Sequence, residues 1–301
     1  MKKIKKVGIL GLGTMGGPIA LNLLKKGKEP VFGFDPVPDI CSKYADEGIK
    51  IAKSYKEFAE CDLIFLSLPN TKVVEKVLFG ENGLASYLKA DQIVVDLSTI
   101  QYSTTLAIES KLKEKGILFL DAPVSGMGAR AVEGTLSVMC GGEKEVFDDV
   151  EPFLNRMGNK VIYMGKVGSG QLTKLINQLL FDINVAAIAE ILPFSQKMGL
   201  DSGKVAAIVN SGTGRSFASE FFIPKILENN FSGGYPLESA YKDLVSASEI
   251  SSTMNLPLPV LSAATTTYQM ALLKGYGKED KGGMIHVFED LFGVEFRAGE
   301  K

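Results

Sequence analysis

The sequence predicts an α/β N-terminal half, with a doubly wound sheet, followed by an all-α C-terminal half. Short apolar runs alternate with helical stretches up to Gly165, and no β-rich run appears after that glycine. Strands that are buried on both faces have this continuous apolar character, as in a parallel sheet covered by helices. We therefore expect one domain at residues 1–164 and an all-helical domain at residues 165–301, joined through a long helix.

The chain opens with a β-α-β pattern of about 30 residues. Ile4–Leu10 is a β-branched-rich run that ends in glycines, a helical stretch follows, and a second apolar run, Pro30–Phe34, ends at Asp35. Further strands are predicted at Leu63–Leu68, Ile93–Leu97, Ile117–Leu120, Leu136–Cys140 and Val161–Tyr163. Helical stretches separate many of them, including Lys72–Leu78 and Thr104–Lys115.

The C-terminal half contains only helical patterns. Ser169 to about Met198 forms one long helical stretch, in which Pro193 is the only interruption. Further helices are predicted at Gly203–Asn210, Ser216–Glu228, Pro236–Met254 and Pro257–Lys274. The apolar content of this half suggests a subunit interface as well as a core, so we expect a homo-oligomer, a dimer or a tetramer.

Composition excludes several classes of partner. Hydrophobic residues make up 46% of the 301 residues, charged residues make up 23%, and the formal net charge is −2. Because this balance gives no global attraction to phosphate backbones or anionic lipid, we expect no nucleic acid and no membrane as partner. The apolar stretch after the basic start is broken by glycines and Pro18, which argues against a secretory signal. We expect a cytoplasmic protein.

The three cysteines, Cys41, Cys61 and Cys140, are scattered and form no Cys-x-x-Cys pair. Scattered cysteines of this kind are typically small, buried hydrophobic residues of a protein in a reducing compartment. They do not indicate a disulfide framework or a metal cluster. We therefore expect no metal site, and catalytic zinc would lack ligands.

A glycine motif points to a dinucleotide. Gly11-Leu12-Gly13-Thr14-Met15-Gly16 fits the G-x-G-x-x-G pattern of Rossmann-type domains, follows a predicted strand and opens a helix. Gly11 would allow the tight turn, Gly13 would let the backbone approach a pyrophosphate, and Gly16 would let helix and strand pack closely. The helix N-terminus would then face the phosphates with its N–H groups.

The acidic residue that ends the second strand bears on the choice of cofactor. Asp35 is placed to accept hydrogen bonds from a ribose 2′-hydroxyl, and its charge would repel a 2′-phosphate. No arginine follows it. We predict NAD as the cofactor and keep NADP as the alternative. Glycines that merely form a turn, with Asp35 capping the next element, would need no cofactor.

A nicotinamide dehydrogenase needs a proton donor or acceptor beside the reacting carbon. The only histidine, His286, is far in sequence from the glycine motif, and no tyrosine has a lysine four residues later. Lys174 lies in the second turn of the long helix, with Asn177 and Gln178 on the same face. Partial burial there would lower its pKa and ease proton exchange. By position alone, a solvated surface lysine explains the pattern equally well.

Four motifs in order give the chain a family resemblance. They are Gly11–Gly16; Asp121–Gly126, continuing to Gly134–Leu136; Gly168-x-Gly170-x-x-x-Lys174-x-x-Asn177; and Lys242–Leu244. With these residues the chain resembles the β-hydroxyacid dehydrogenase family, which includes 3-hydroxyisobutyrate dehydrogenase, tartronate semialdehyde reductase and 2-(hydroxymethyl)glutarate dehydrogenase. The resemblance implies hydride transfer between NAD(H) and a small β-hydroxy acid or its semialdehyde.

The resemblance also implies roles for individual residues. Leu68, Pro69 and Thr99 would line the nicotinamide half of the cofactor, and Lys242 would approach the cofactor from the helical domain. Ser125 and Gly126 would hold the substrate carboxylate through hydroxyl and backbone N–H. Lys174 would be the general acid/base, with Asn177, and also Gln178, orienting the substrate. Without the family, Ser125-Gly126 would be interpreted as a simple turn.

One position departs from the family pattern. Met127 stands where the family commonly has a second glycine after Ser-Gly, which puts the substrate's identity in doubt more than the reaction type. Arg215 and Arg130 would each be able to bind a second, distal carboxylate of a dicarboxylate-type substrate. A solvated arginine explains either residue as well.

Three other functions fit the same architecture. An imine reductase is one, although such enzymes generally replace the catalytic lysine, so Lys174 counts against it. A non-catalytic NAD-binding protein is another, and we expect it to lack the lysine or to carry an added binding module, so Lys174 counts against it as well. 6-Phosphogluconate dehydrogenase has a larger helical domain than 301 residues allow.

Overall fold

The computed structural model describes residues 3–299, so the predicted domain ranges extend beyond it at both ends. The chain divides into two compact units, which meet in sequence between Lys174 and Leu175. This division falls inside one long helix, whereas the boundary predicted from the sequence stands at residues 164 and 165. The predicted fold class, an α/β sheet domain followed by helices alone, is confirmed.

The first unit is built on a sheet of nine strands within the described residues, in the order β3-β2-β1-β4-β5-β6-β8-β7, with β9 paired to β8. The strands are β1 Val7–Leu10, β2 Val31–Phe34, β3 Lys50–Ile51, β4 Leu63–Leu66, β5 Ile93–Asp96, β6 Leu118–Asp121, β7 Val124–Ser125, β8 Leu136–Gly142 and β9 Gly158–Gly165. Its helices are α1 Gly16–Lys25, α2 Pro38–Asp46, α3 Thr71–Phe79, α4 Tyr102–Lys113, α5 Met127–Glu133 and α6 Lys144–Met157.

Strands β1 to β6 pair in parallel, as expected for a sheet covered by helices. Strand β8 instead runs antiparallel to both β6 and β7, so the sheet is mixed. The link from β7 to β8, residues 126–135, holds only the short helix α5. Since a parallel crossover usually takes a dozen or more residues, this link returns the chain beside the strand that it has just left.

Two apolar cores flank the sheet, which explains the continuous apolar runs in the sequence. Every residue of β1, β4 and β5 is buried. One core contains Ile19 and Leu23 of α1 together with residues of α6. The other contains Val74 of α3 and Ile108 of α4. Burial on both faces is what distinguishes these strands from the alternating pattern of a half-exposed sheet.

The second unit contains helices only, within its described residues. They are α7 Ser169–Lys197, whose first turns belong to the first unit, α8 Ser202–Ser211, α9 Phe217–Leu227, α10 Leu237–Met254, α11 Pro259–Leu273 and α12 Ile285–Phe292. Helix α7 passes through Pro193 without a break, so the expected interruption does not end it. The core of this unit includes Val185 of α7, Phe222 of α9 and Tyr268 of α11.

By length and composition alone, α7 is also apolar enough to cross a membrane, which no other helix among residues 3–299 is. Core helices of soluble proteins meet the same measure. Val185, Ala189 and Leu192 of α7 are buried among the other helices of the second unit. One face of α7 therefore contributes to the core of that unit, while other apolar side chains of the helix are exposed.

Candidate active site

The glycine loop connects β1 to α1 and has the geometry that the motif predicts. Gly11 has a φ of +89°, and a Cβ there would overlap the carbonyl oxygen of Ser67, so only glycine fits. A Cβ on Gly16 would overlap the carbonyl oxygen of Gly11. Gly13 differs, because a Cβ there would meet no atom within 4 Å. Its backbone borders open space, which fits the close approach of a pyrophosphate.

Asp35 lies directly after β2 and is hydrogen-bonded to the glycine loop. One carboxylate oxygen accepts from the backbone N–H of Leu12 at 2.9 Å, and the other accepts from the N–H of Val37 at 3.0 Å. A carboxylate offers about four acceptor positions, so these bonds leave capacity for a ribose hydroxyl. The residue that is predicted to bind the ribose is therefore fixed relative to the loop that is predicted to bind the phosphates.

The predicted nicotinamide-side residues lie on two neighbouring loops. Leu68 and Pro69 follow β4, Thr99 follows β5, and these strands are parallel neighbours. The N–H of Leu68 donates to the hydroxyl of Ser98 at 2.9 Å, which joins the loops. Both loops lie at the carboxyl ends of their strands, the edge where doubly wound sheets bind ligands.

The predicted carboxylate-binding turn, Ser125 and Gly126, joins β7 to α5. Gly126 has a φ of +143° and Met127 a φ of +61°. The left-handed conformation of Met127 explains why a glycine would be favoured at its position. A Cβ on Gly128 would lie 3.2 Å from the methyl group of Thr14, so the start of α5 lies beside the glycine loop.

Lys174 lies in the second turn of α7, and only 8% of its surface is accessible. It is therefore buried rather than solvated, which agrees with the desolvation expected from the sequence. Burial penalises the charged form of a lysine unless a partner compensates it. A buried lysine near the carboxyl edge of a dinucleotide-binding sheet has the chemistry of a proton donor or acceptor.

The start of α7 is held by the carboxylate of Asp121, which was not predicted as a site residue. Asp121, the last residue of β6, accepts from the N–H of Gly168 at 2.7 Å and from the N–H of Gln171 at 2.8 Å. Gly168 immediately precedes the helix and Gln171 lies in its first turn, where N–H groups have no partner within the helix. A negative charge there is also favoured by the helix dipole.

Gln171 connects the same helix to the Thr99 loop. Its side-chain amide donates to the carbonyl oxygen of Ser98 at 2.7 Å and accepts from the N–H of Ile100 at 3.2 Å. Neither Gln171 nor Ser98 was predicted as a site residue. One feature of the sequence could have pointed to this region. Two apolar strands each end in an acidic residue, Asp96 and Asp121, at the edge of the sheet where ligands bind.

Asp96 and Asp121 are direct neighbours in the β5–β6 register. Burial raises the pKa of Asp96 to about 7, against the opposing effect of its hydrogen bonds from Ser98, and the charge of Asp121 raises it further. Burial also raises the pKa of Asp121 to about 6, against the opposing effect of the N–H groups of Gly168 and Gln171. One carboxyl oxygen of Asp96 is buried without a hydrogen-bond partner.

The other predicted substrate residues are less constrained by their surroundings. The side-chain amides of Asn177 and Gln178, on α7, lie 3.3 Å apart. Arg215 is exposed and lies 3.6 Å from Glu220. Arg130 donates to the carbonyl oxygen of Thr135 and, at 3.4 Å, to Asn159. Their roles in binding substrate stay predictions.

Lys242, predicted to contact the cofactor, lies half-buried on α10 in the second unit. His286, which is not a predicted site residue, is hydrogen-bonded to Glu289 at 3.0 Å in the same unit. Among residues 3–299, no group of three or more His, Cys, Asp or Glu side chains is arranged to hold a metal ion.

Comparison with known families assigns both halves of the chain. Residues 6–165 match the family described as the NAD binding domain of 6-phosphogluconate dehydrogenase. Residues 168–288 match the family described as NAD-binding of NADP-dependent 3-hydroxyisobutyrate dehydrogenase.

Individual relatives match over nearly the whole chain. 2-(Hydroxymethyl)glutarate dehydrogenase of Eubacterium barkeri is 36% identical and covers 100% of both chains. Mitochondrial 3-hydroxyisobutyrate dehydrogenase of Mus musculus is 34% identical over 91% of this chain and 84% of its own. The crystal structure of 3-hydroxyisobutyrate dehydrogenase from Salmonella typhimurium superposes with a TM-score of 0.83 at 30% identity, covering 94% of this chain and 100% of that one. The chain therefore belongs to the β-hydroxyacid dehydrogenase family of NAD(P)-dependent enzymes that act on CH–OH donors.

Proposed function

We propose that this enzyme transfers a hydride between NAD(H) and a small β-hydroxy acid or its semialdehyde, with Lys174 as general acid/base. The observation that carries the proposal is the burial of Lys174 on a helix whose first turn is hydrogen-bonded to the carboxyl ends of the sheet. When bound, the nicotinamide ring accepts or supplies the hydride. The residues of this chain bind and orient the substrate and exchange the proton with it.

In the direction of oxidation, the Nζ atom of Lys174 takes the proton of the substrate hydroxyl. The hydride leaves the carbon atom that bears this hydroxyl. In reduction, protonated Lys174 returns that proton to the carbonyl oxygen. Ser125 and Gly126 hold the substrate carboxylate through a hydroxyl and an N–H group, and Asn177, assisted by Gln178, orients the substrate. Proton transfer of this kind typically contributes about 10²–10⁴ in rate.

For the cofactor we propose a preference for NAD over NADP. The glycine loop would bind the pyrophosphate, and Leu68, Pro69 and Thr99 would line the nicotinamide. The support for NAD is Asp35, whose carboxylate lies beside the glycine loop and would repel a 2′-phosphate.

A more specific proposal concerns the substrate class. We propose a dicarboxylate-type β-hydroxy acid, with Arg215 binding the distal carboxylate. The side chain of Arg215 is 63% exposed and lies 3.6 Å from Glu220, whereas Arg130 already donates to the carbonyl oxygen of Thr135 and to Asn159. A relative, 2-(hydroxymethyl)glutarate dehydrogenase, is named for a dicarboxylate substrate.

We further propose that the chain forms a homo-oligomer, a dimer or a tetramer. The support is a set of large apolar side chains on α7 that are more than half exposed: Ile176, Leu180, Ile191 and Phe194. Exposed apolar surface of this extent commonly marks a protein interface. A cytoplasmic location is proposed from the sequence alone.

The direct test of the proton-transfer role is substitution of Lys174. Lys174→Ala should lower kcat by about 10²–10⁴ and leave the dissociation constant of NAD, measured by calorimetry, nearly unchanged. Lys166→Ala is the matched control, because Lys166 is an exposed lysine eight residues earlier. A Lys174→Ala enzyme that retains its kcat would overturn the assignment.

The substrate is identified by a rate screen with NAD and with NADP. Three-, four- and branched five-carbon β-hydroxy acids and semialdehydes, each with and without a second carboxylate, form the panel. Higher kcat/KM for the dicarboxylates, lost in Arg215→Ala, would support the specific proposal. Equal rates with and without the second carboxylate would contradict it, and turnover of cyclic imines alone would contradict the general one.

A further inference from the structure

We propose that Gln171 is a positioning residue that holds the Thr99 loop and Lys174 in one fixed geometry for hydride and proton transfer. This inference rests on the proposed function, because it takes Thr99 as a cofactor contact and Lys174 as the acid/base. It concerns a residue that contacts neither substrate nor cofactor in that function.

The side chain of Gln171 links α7 to the Thr99 loop through two hydrogen bonds. Its amide nitrogen donates to the carbonyl oxygen of Ser98 at 2.7 Å, and its amide oxygen accepts from the N–H of Ile100 at 3.2 Å. These two backbone groups flank Thr99. A side chain that bonds to both neighbours of a residue fixes the backbone of that residue in position and in orientation.

The backbone of Gln171 is held at the same time from another side. Its N–H donates to Asp121 at 2.8 Å, and the same carboxylate accepts from Gly168 at 2.7 Å. Gln171 is 3% exposed and Asp121 is fully buried, so water does not compete for these bonds. The first turn of α7 is therefore joined to β6 through its main chain and to the β5 loop through this one amide.

Lys174 follows Gln171 by three residues in the same helix. Residues at this spacing lie on the same side of a helix, and the rise between them is about 4.5 Å. Because an α-helix is stiff over one turn, a shift of the Lys174 backbone relative to Thr99 would distort or break the buried hydrogen bonds of Gln171. A displacement of about 1 Å at a reacting centre can cost about 10²-fold in rate.

A purely structural role for Gln171 makes a different prediction. Two buried backbone groups left without a partner would lower stability, but each folded molecule would then react at the normal rate. The primary isotope effect of a deuterated substrate separates these possibilities. Misplaced reacting groups slow the hydride step itself, so the isotope effect on kcat rises toward its intrinsic value, whereas loss of folded enzyme leaves it unchanged.

The chain offers a matched control in Gln92. This glutamine is also buried, 8% exposed, and its side chain also bonds to backbone groups, accepting from Lys89 at 2.6 Å and donating to the carbonyl oxygen of Cys61. It precedes β5 at the amino end of the strand, whereas Ser98 follows the carboxyl end. Gln92→Leu should therefore lower stability and leave the kinetics of folded enzyme unchanged.

The experiment measures kcat, KM and the isotope effect for Gln171→Leu, Gln171→Glu and Gln92→Leu at a temperature where circular dichroism shows each folded. Gln171→Glu keeps the acceptor for Ile100 and loses the donor to Ser98. We expect kcat to fall at least tenfold in Gln171→Leu, with a raised isotope effect and an intermediate result for Gln171→Glu. Gln92→Leu should stay within twofold of the unsubstituted enzyme.

The inference is overturned if folded Gln171→Leu has the kcat and isotope effect of Gln92→Leu while Lys174→Ala is inactive. Should Gln171→Leu fail to fold, Gln171→Glu carries the same test. An active Lys174→Ala enzyme would instead overturn the proposed function, so the two failures are distinguishable.

Discussion

Asp182 and Lys281 form an ion pair inside the helical unit, with side chains that are 0% and 2% exposed. The hydroxyl of Tyr268 donates to the same Asp182 oxygen at 3.0 Å, and the second oxygen has no hydrogen-bond partner. Burial raises the pKa of Asp182 to about 6, even though the charge of Lys281 lowers it. The carboxylate is thus held ionised at neutral pH largely by one lysine.

Removal of that lysine should be strongly destabilising. Lys281→Met leaves Asp182 buried without its counter-charge, which typically costs about 3–5 kcal/mol. The loss should be smaller at pH 5 than at pH 8, because at pH 5 the carboxylate can take up a proton. Urea unfolding at both pH values measures this. The double variant Asp182→Leu/Lys281→Met should recover much of the loss, and a double variant as unstable as the single one would contradict the explanation.

Asp35 should determine the choice between the two nicotinamide cofactors. Asp35→Asn removes the charge that would repel a 2′-phosphate and keeps an oxygen able to accept from Leu12. We expect the ratio of kcat/KM with NADP to that with NAD to rise at least tenfold. Asp39→Asn, an exposed acidic residue on α2, is the control. An unchanged ratio in Asp35→Asn would rule out this role.

The raised pKa of Asp96 predicts a specific pH dependence of stability. The folded state keeps this proton up to about pH 7, whereas the unfolded chain releases it near pH 4. Stability therefore falls as pH rises through this window, by up to about 1.4 kcal/mol per unit for one group, and levels off above it. Asp96→Asn cannot ionise, so its stability relative to the unsubstituted protein should grow from pH 5 to pH 7.

Urea unfolding at pH 5, 6, 7 and 8 checks this dependence, with exposed Asp46→Asn as the control. A constant difference between Asp96→Asn and the unsubstituted protein across these pH values would show that the carboxyl is ionised throughout.

Met127 should be strained by its own backbone. A left-handed conformation costs a residue with a side chain about 1–2 kcal/mol, and glycine loses about 0.5–1 kcal/mol more entropy on folding. Met127→Gly should therefore raise the free energy of unfolding by up to about 1.5 kcal/mol. Met127→Ala keeps the same strain and should change little, since the side chain is 57% exposed. Equal stabilities of the two variants would contradict this.

The elements of the fold were largely predictable, because a central strand that is buried on both faces has a continuous apolar sequence. β4, for example, is Leu63–Leu66 inside the predicted Leu63–Leu68. The antiparallel direction of β8 was not predictable from its residues, since the same apolar run suits either direction. That direction depends on the length of the link before it, a property of the tertiary arrangement rather than of local pattern.

The candidate site was predictable only where chemistry is local. The glycine loop and Asp35 lie within one β-α-β unit, so their spacing in the sequence was enough to predict them. The bonds of Gln171 to Ser98 and of Asp121 to Gly168 join residues 73 and 47 positions apart, which no periodicity reveals. Lys281, in a polar glycine-rich stretch, gave no sign of burial, because its partner lies 99 positions away.

The reversed strand also sets the path by which the lysine arrives. β9 accompanies β8, Gly165 is in register with Gly141, and Gly141 pairs with Asp121 at the end of β6. The chain therefore leaves β9 beside the carboxylate of Asp121, which accepts hydrogen bonds at the start of α7. Residues 166–168 alone connect the end of β9 to this helix. Because this connector is so short, the end of β9 determines where α7 begins, and Lys174 follows as the sixth residue of that helix.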